Sequence, residues 1–249
     1  MIKLFISDLD GCIAHPFVSP DWKTITRIKE LNNLSKNDPA IPPLTICSGR
    51  PLPFVEAVAQ WLDVKFPMLF ESGGGIYDLQ ENELSWNPHF DKEAREAVVE
   101  IKSWMEEHLI NKFDGTIAEF TKFTDAGLIN PEKSQIVLMH KEILNYVTKR
   151  YPRFEVHDTD VSVNVILKKT NKANGIRFLC NMLDLNLDEV AYIGDSSGDI
   201  EALKIVGKAY APINAGSYVK ESAGFVTAEA TLGVLEAYEN LIEFNKGVG

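Results

Sequence analysis

Apolar positions along this chain follow two alternating rhythms, and their order predicts the architecture. Near the start, "IKLFISD" is a short continuous apolar run that reads as a buried strand. It is followed by "DWKTITRIKELNNL", where Ile25, Ile28 and Leu31 recur at helical spacing. A polar, proline-rich loop, "SKNDPAIPP", leads to a second strand, "LTICSG". The next helix accepts Pro51 and Pro53 in its first turn and carries Val55, Val58 and Leu62 toward a core. A third strand, "PMLFESG", runs into Gly73, Gly74 and Gly75. Such alternation predicts an α/β fold, a parallel sheet with helices on its faces.

The middle of the chain changes character. "DKEAREAVVEIKSWMEEHLI" predicts an amphipathic helix with Ala94, Ala97, Val98, Ile101 and Met105 on one stripe and Asp91 as its cap. Four short runs, "GTIAEFTKF", "SQIVLMH", "FEVHD" and "VSVNVIL", predict antiparallel strands, with a helix near "KEILNYVTKRY" between the second and third. This helix–strand–strand–helix–strand–strand block is a small α+β insertion over residues 78–167. The first rhythm then resumes. "KANGIRFLCNMLDL" places Ile176, Leu179, Cys180 and Leu183 on one helical face, "EVAYIGD", "KAYAPINA" and "GFVTA" supply strands, and "TLGVLEAYENLIEF" closes as a helix. Residues 1–77 and 168–249 are therefore expected to fold together around the insertion.

Composition narrows the function. A net charge of -11 argues against a nucleic-acid surface, which needs a basic stripe. It does not exclude an anionic substrate, because a bound metal ion reverses the local field. Cys12, Cys47 and Cys180 lack paired spacing and point to a reducing compartment, the cytoplasm. "MIKLFISDLD" fails as a signal peptide, and no apolar run approaches a membrane span. Neither nucleic acid nor membrane is an expected partner.

Open parallel sheets bind ligands beyond the carboxyl ends of their strands. Those ends carry Asp8 and Asp10, then Ser48, then Glu71 and Ser72, then Asp195 and Asp199. A lone "DLDG" is common turn chemistry, and Cys12 and Ile13 exclude a calcium loop. Asp199 alone reads equally well as a helix cap. Two acidic strand ends in one sheet carry more. Carboxylates gathered together repel unless a divalent cation shares them, and hard oxygen ligands at an open site suit Mg²⁺. Asp8, Asp10, Asp195 and Asp199 are the expected metal site.

Taken in order, "DLDGC", "TICSGR", "TNKANG" and "GDSSGD" resemble the four motifs of the haloacid dehalogenase superfamily of phosphohydrolases. The resemblance covers both ends of the chain. The inserted block resembles the α+β cap of one subclass, closest to small-cap relatives such as archaeal-type phosphoglycolate phosphatase and sucrose-phosphate phosphatase. It implies a Rossmann-like core and Mg²⁺-dependent hydrolysis of a small phosphorylated metabolite, with a cap that supplies specificity. By this resemblance Asp8 is the nucleophile. Asp10 is general acid and then general base, with its main-chain carbonyl facing the magnesium. Asp195 ligates the metal, and Asp199 ligates it or orients its waters. Ser48 and Lys172 hold the transferring phosphoryl oxygens. Lys172 is preferred to Lys168 or Lys169 because it opens a helix directly after "TN". Arg50 either reaches substrate or shields the site.

Some positions depart from the pattern. Cys12 replaces the usual threonine or valine and reads as a small core residue; Gly198 and Ser72 stand where many relatives carry asparagine. The five histidines show no metal-ligand spacing, and Trp86 and Trp104 read as packing within the cap. Two other readings stand beside the phosphatase: a phosphomutase of the phosphomannomutase type, and a catalytically silent phospho-ligand-binding protein. The intact set of Asp8, Asp10, Lys172 and Asp195 speaks against the silent binder. Oligomeric state is left open.

Overall fold

Leu4–Ser7 forms β1, buried at every position, which is why it reads as one continuous apolar run. The computed structural model describes residues 1–15, 18–159 and 161–247 and divides into two units. The first comprises Met1–Ser85 and Lys172–Gly249, and the second Trp86–Asn171.

In the first unit, β1 is followed by α1 (Trp22–Leu34), capped by the Asp21 carboxylate on Lys23 and Thr24 N–H groups. Then come β2 (Leu44–Ile46), α2 (Leu52–Trp61), β3 (Met68–Phe70), β4 (Gly75–Asp78) and β5 (Glu83–Trp86). Pro51 caps α2 and Pro53 lies in its first turn, where a missing N–H is harmless. β3, β4 and β5 lie side by side in that order, with β3 and β4 antiparallel. A single bridge between Cys47 and Leu69 joins β3 to β2. This pairing keeps β4 and most of β5 with the first unit, so the division falls after Ser85 instead of after residue 77.

The second unit contains α3 (Lys92–Met105), β6 (Ile117–Ala118), β7 (Ala126–Ile129), α4 (Lys133–Arg150), β8 (Phe154–Asp158) and β9 (Ser162–Leu167). Its sheet is antiparallel, in the order β6-β7-β9-β8. Alternate residues of β9, Val163, Val165 and Leu167, pack with the apolar stripes of α3 and α4 in one core. The segment "SQIVLMH" is helical, not a strand: it forms the first half of α4. Ile136, Met139, Ile143 and Val147 are its buried residues, spaced at helical intervals. The strand that takes its place in the rhythm is β7, whose Ala126–Gly127 opening has weak β propensity. Trp86 packs on Phe90 and Phe123, and Trp104 stacks on Tyr146 at 3.9 Å, all within this unit.

The chain returns to the first unit through α5 (Lys172–Leu183), β10 (Val190–Ile193), α6 (Ile200–Leu203), β11 (Lys208–Pro212), α7 (Ser217–Lys220), β12 (Phe225–Thr227) and α8 (Ala230–Gly247). The central sheet is parallel, in the order β12-β11-β10-β1-β2. No helix among the described residues is long and apolar enough to cross a membrane. On α8, the Asn245 amide accepts from Ile2 N–H at 2.8 Å and donates to Ile2 and Ala40 carbonyls at 2.8 and 3.1 Å. Asn245→Ala leaves those buried groups unpaired and is expected to cost about 2–4 kcal/mol. Urea unfolding checks this, and an unchanged midpoint would refute the role of the amide.

Candidate active site

The tips of β1 and β10 meet because they are sheet neighbours, with Ser7 opposite Ile193. Asp8 N–H donates to Ile193 carbonyl at 3.0 Å, and the chain then turns through Gly11 at φ +76°. A Cβ on Gly11 would lie 2.0 Å from Asp195 Oδ2, so glycine is required by conformation and by space. That close approach brings the two acidic motifs together. Asp8, Asp195 and Asp199 each offer an oxygen, and these lie within 4.8 Å of one another.

Lys172, the first residue of α5, is buried with its ammonium 2.9 Å from Asp8 Oδ2 and 2.6 Å from Asp199 Oδ1. The Tyr192 hydroxyl, from β10, also donates to Asp199 Oδ1. Asp199 Oδ2 accepts from Ser196 N–H at 2.9 Å and Ser196 Oγ at 2.6 Å, a capping box on the turn that precedes α6. Four donors therefore fill the acceptor positions of the Asp199 carboxylate. Gly194 leaves room for it, since a Cβ there would meet Asp199 Cγ at 2.4 Å.

These contacts separate the acids electrostatically. Burial pushes the Asp8 carboxyl up to about 8 despite the Lys172 charge, and Asp199 and Asp195 add repulsion. Burial, then the Asp199 charge, lifts Asp195 to about 6. Burial also acts to raise Asp199, but Lys172 and the hydrogen bonds from Lys172, Ser196 and Tyr192 outweigh it and hold the carboxyl below its ordinary value. Lys172 is opposed by burial, yet Asp199 and Asp8 keep it well above the usual lysine range. The lysine is a fixed cation committed most closely to Asp199. Asp8 and Asp195 are left with negative charge that burial disfavours, and an all-oxygen donor set of this kind fits a divalent cation.

Asp10 has a different environment. Arg50 Nε and Nη2 donate to its two oxygens at 2.7 and 2.8 Å, a bidentate fork, and the guanidinium lies 4.9 Å from the Phe54 ring centre. Its carboxylate is not in the three-acid cluster. Ser48, buried just past the end of β2, donates its N–H to Leu69 carbonyl, and its Oγ accepts from Arg50 N–H at 3.2 Å. The Ser48 and Arg50 carbonyls accept from Ser72 and Glu71 N–H groups. Glu71 and Ser72 have φ of 48° and 56°, two successive left-handed non-glycine residues, and such strain persists only where the surroundings over-determine it. Gly175 of α5 packs on this turn: a Cβ there would lie 2.6 Å from Gly73 Cα.

Two residues and one contact escape the sequence reading. Tyr192 looks like one more apolar strand residue, although a hydroxyl in a fully buried strand requires a partner. Asn214 donates to Gly11 carbonyl at 2.9 Å and accepts from Ala230 N–H, steadying the turn after Asp10. The Arg50 fork on Asp10 has no local motif that announces it.

A family model for haloacid dehalogenase-like hydrolases matches residues 5–115 and 105–237. Over 245 residues the chain is 29% identical to a phosphoglycolate phosphatase of Methanopyrus kandleri, covering 98% of each. A crystal structure from Thermoplasma acidophilum superposes with a TM-score of 0.76 at 20% identity, covering 97% of this chain and 98% of that one. The sucrose-phosphatase of Synechocystis sp. PCC6803, solved with sucrose and phosphate, has a TM-score of 0.67 at 15% identity, covering 97% and 98%.

The raised Asp8 value fixes the sign of a pH effect. Below about pH 4 folded and unfolded chains both hold its proton. Above that the unfolded chain releases a proton that folded Asp8 keeps until about pH 8. Without divalent cations, stability is therefore expected to fall as pH rises through this window, with Asp195 adding to the fall up to about pH 6. Thermal unfolding in EDTA measures it. Asp8→Asn should flatten the slope, and identical slopes would contradict the assignment.

Proposed function

The chain is a phosphatase of the haloacid dehalogenase-like hydrolase family, and on that premise we propose that it hydrolyses a small phosphate monoester through an aspartyl-phosphate on Asp8, with Mg²⁺ as cofactor. The observation that carries this reading is the buried Lys172 ammonium bridging Asp8 and Asp199 beside Asp195. A binding protein has no need to hold a buried carboxylate against a fixed cation; a nucleophile does.

Asp8, Asp195 and the main-chain carbonyl of Asp10 would hold Mg²⁺, which supplies positive charge against the phosphoryl group when bound. Asp199, its oxygens already engaged, would act through water and by fixing Lys172. The Asp8 carboxylate attacks phosphorus while the bond to the leaving oxygen breaks, and Asp10 gives that oxygen a proton. Asp10 then takes a proton from water as the water attacks the aspartyl-phosphate. The bond from phosphorus to Asp8 breaks, and inorganic phosphate leaves. Lys172 and Ser48 hold the phosphoryl oxygens through both steps, stabilising charge where it develops. The relatives named phosphoglycolate phosphatase support a small metabolite, a phosphoglycolate-like ester or a sugar phosphate, as substrate. Three buried free thiols, Cys12, Cys47 and Cys180, support a reducing, cytoplasmic setting.

A panel of phosphorylated metabolites assayed with and without Mg²⁺ tests the reading. Phosphate release is expected to need Mg²⁺, to proceed without a bisphosphate activator, and to fall by about 10³-fold or more in Asp8→Asn. Release that persists in Asp8→Asn would reject the nucleophile. Strict dependence on a bisphosphate would make the enzyme a mutase.

A further inference from the structure

Gly11 is the least constrained residue of the loop that follows β1, because it has no side chain to restrict its backbone. The phosphatase reading demands most at this point: the Asp10 main-chain carbonyl, offered to Mg²⁺, belongs to the peptide that Gly11 completes. Within the loop, Gly11 N–H donates to Ala14 carbonyl at 2.8 Å. Cys12 and Ala14 N–H groups donate to Leu9 carbonyl at 3.2 and 3.1 Å, so the loop is folded on itself.

Two residues outside the four sequence motifs tie this loop to the start of α8. Thr231, buried in the first turn of α8, donates its hydroxyl to Ile13 carbonyl at 2.7 Å. Asn214, just after β11, donates to Gly11 carbonyl and accepts from Ala230 N–H, each at 2.9 Å. One amide orientation serves both bonds, since only the nitrogen donates and only the oxygen accepts. The backbone around Asn214 is itself held, by Ile213 N–H on Thr227 carbonyl and Ala215 N–H on Pro212 carbonyl, both at 2.9 Å. Ala230 keeps a φ of 45°, a strained value for alanine that persists where the surroundings over-determine it.

We infer that Asn214 and Thr231 are positioning residues for the metal ion, clamping the loop at Gly11 and Ile13 so that the Asp10 carbonyl keeps its aim. The inference rests on the phosphatase reading. Both residues act through the backbone, and neither contacts a side chain of the acidic cluster. Loss of either tie lets the peptide between Asp10 and Gly11 turn, and the effect falls on metal affinity. The other end of α8 provides the contrast. Asn245 bonds Ile2 just ahead of β1, so it fixes the same helix to the same segment without touching the loop.

Calorimetric titration of the full chain with Mg²⁺ alone, paired with urea unfolding, tests this. Asn214→Ala and Thr231→Val should each weaken Mg²⁺ binding about 10-fold, the lower end of the effect of groups that orient metal ligands. Thr231→Ser, which keeps the hydroxyl, should bind as the parent does. Asn214 is exposed, so its replacement leaves the fold intact. Asn245→Ala should lower the unfolding midpoint and leave Mg²⁺ affinity unchanged. Parental affinity in Asn214→Ala, or equal weakening in Asn245→Ala, overturns the inference, while Mg²⁺-dependent phosphate release by the parent keeps the phosphatase reading. A parent that binds no Mg²⁺ overturns the metal part of that reading and the inference with it.

Discussion

A single ammonium group, buried between two carboxylates, is the constraint on which the rest of the site depends. Lys172 lies 2.6 Å from Asp199 and 2.9 Å from Asp8 in a place where water cannot share the charge. Each of these charges alone would be costly to bury, and they are tolerated because the hydrogen-bonding groups around them are satisfied. Asp199 is held by Tyr192 and Ser196 as well as the lysine, so each of its two oxygens already has two donors. The lysine is fixed in turn by its place at the start of α5, which packs through Gly175 on the turn at Gly73.

Small residues make this geometry reachable. Gly11 and Gly194 are the points where one strand tip approaches a carboxylate of the second acidic motif, and a methyl group at either would overlap it. Opposite them, the strained turn at Glu71 and Ser72 is tied by main-chain hydrogen bonds to Arg50 and Ser48. One side of the site is thus set by close backbone approach and the other by a hydrogen-bonded shelf. The side chains of the candidate site are carried by rigid elements on both.

Much of this is legible in the sequence, and the limits have physical causes. β1, α1, β10 and α5 declare themselves because each has one period and a clean boundary, and Asp8, Lys172, Asp195 and Asp199 stand at those boundaries or just beyond them. The first half of α4 misleads because "SQIVLMH" concentrates β-branched and long apolar residues; its helical period emerges only once Ile143 and Val147 are counted with it. β4 and β5 escape because each is four residues long and neither is buried along its whole length. The Asp10–Arg50 fork joins residues 40 positions apart, and the filling of Asp199 needs a tyrosine from the middle of a strand. No local pattern encodes such meetings; they follow from how the sheet is ordered.

That ordering also governs how the protein comes into being. β1 sits inside the sheet between β10 and β2, and Ile2 is bonded to Asn245 across 243 positions. On the ribosome, one edge of this apolar strand waits without a partner until Val190–Ile193 has been synthesised. Contacts of such long range slow folding, and the waiting edge is a template for aggregation. Early folding of the inserted unit, whose β8 and β9 pair antiparallel over five residues each, would shorten the loop that must close. The nascent chain therefore passes through most of its synthesis with no assembled catalytic centre and an exposed strand for chaperones to cover.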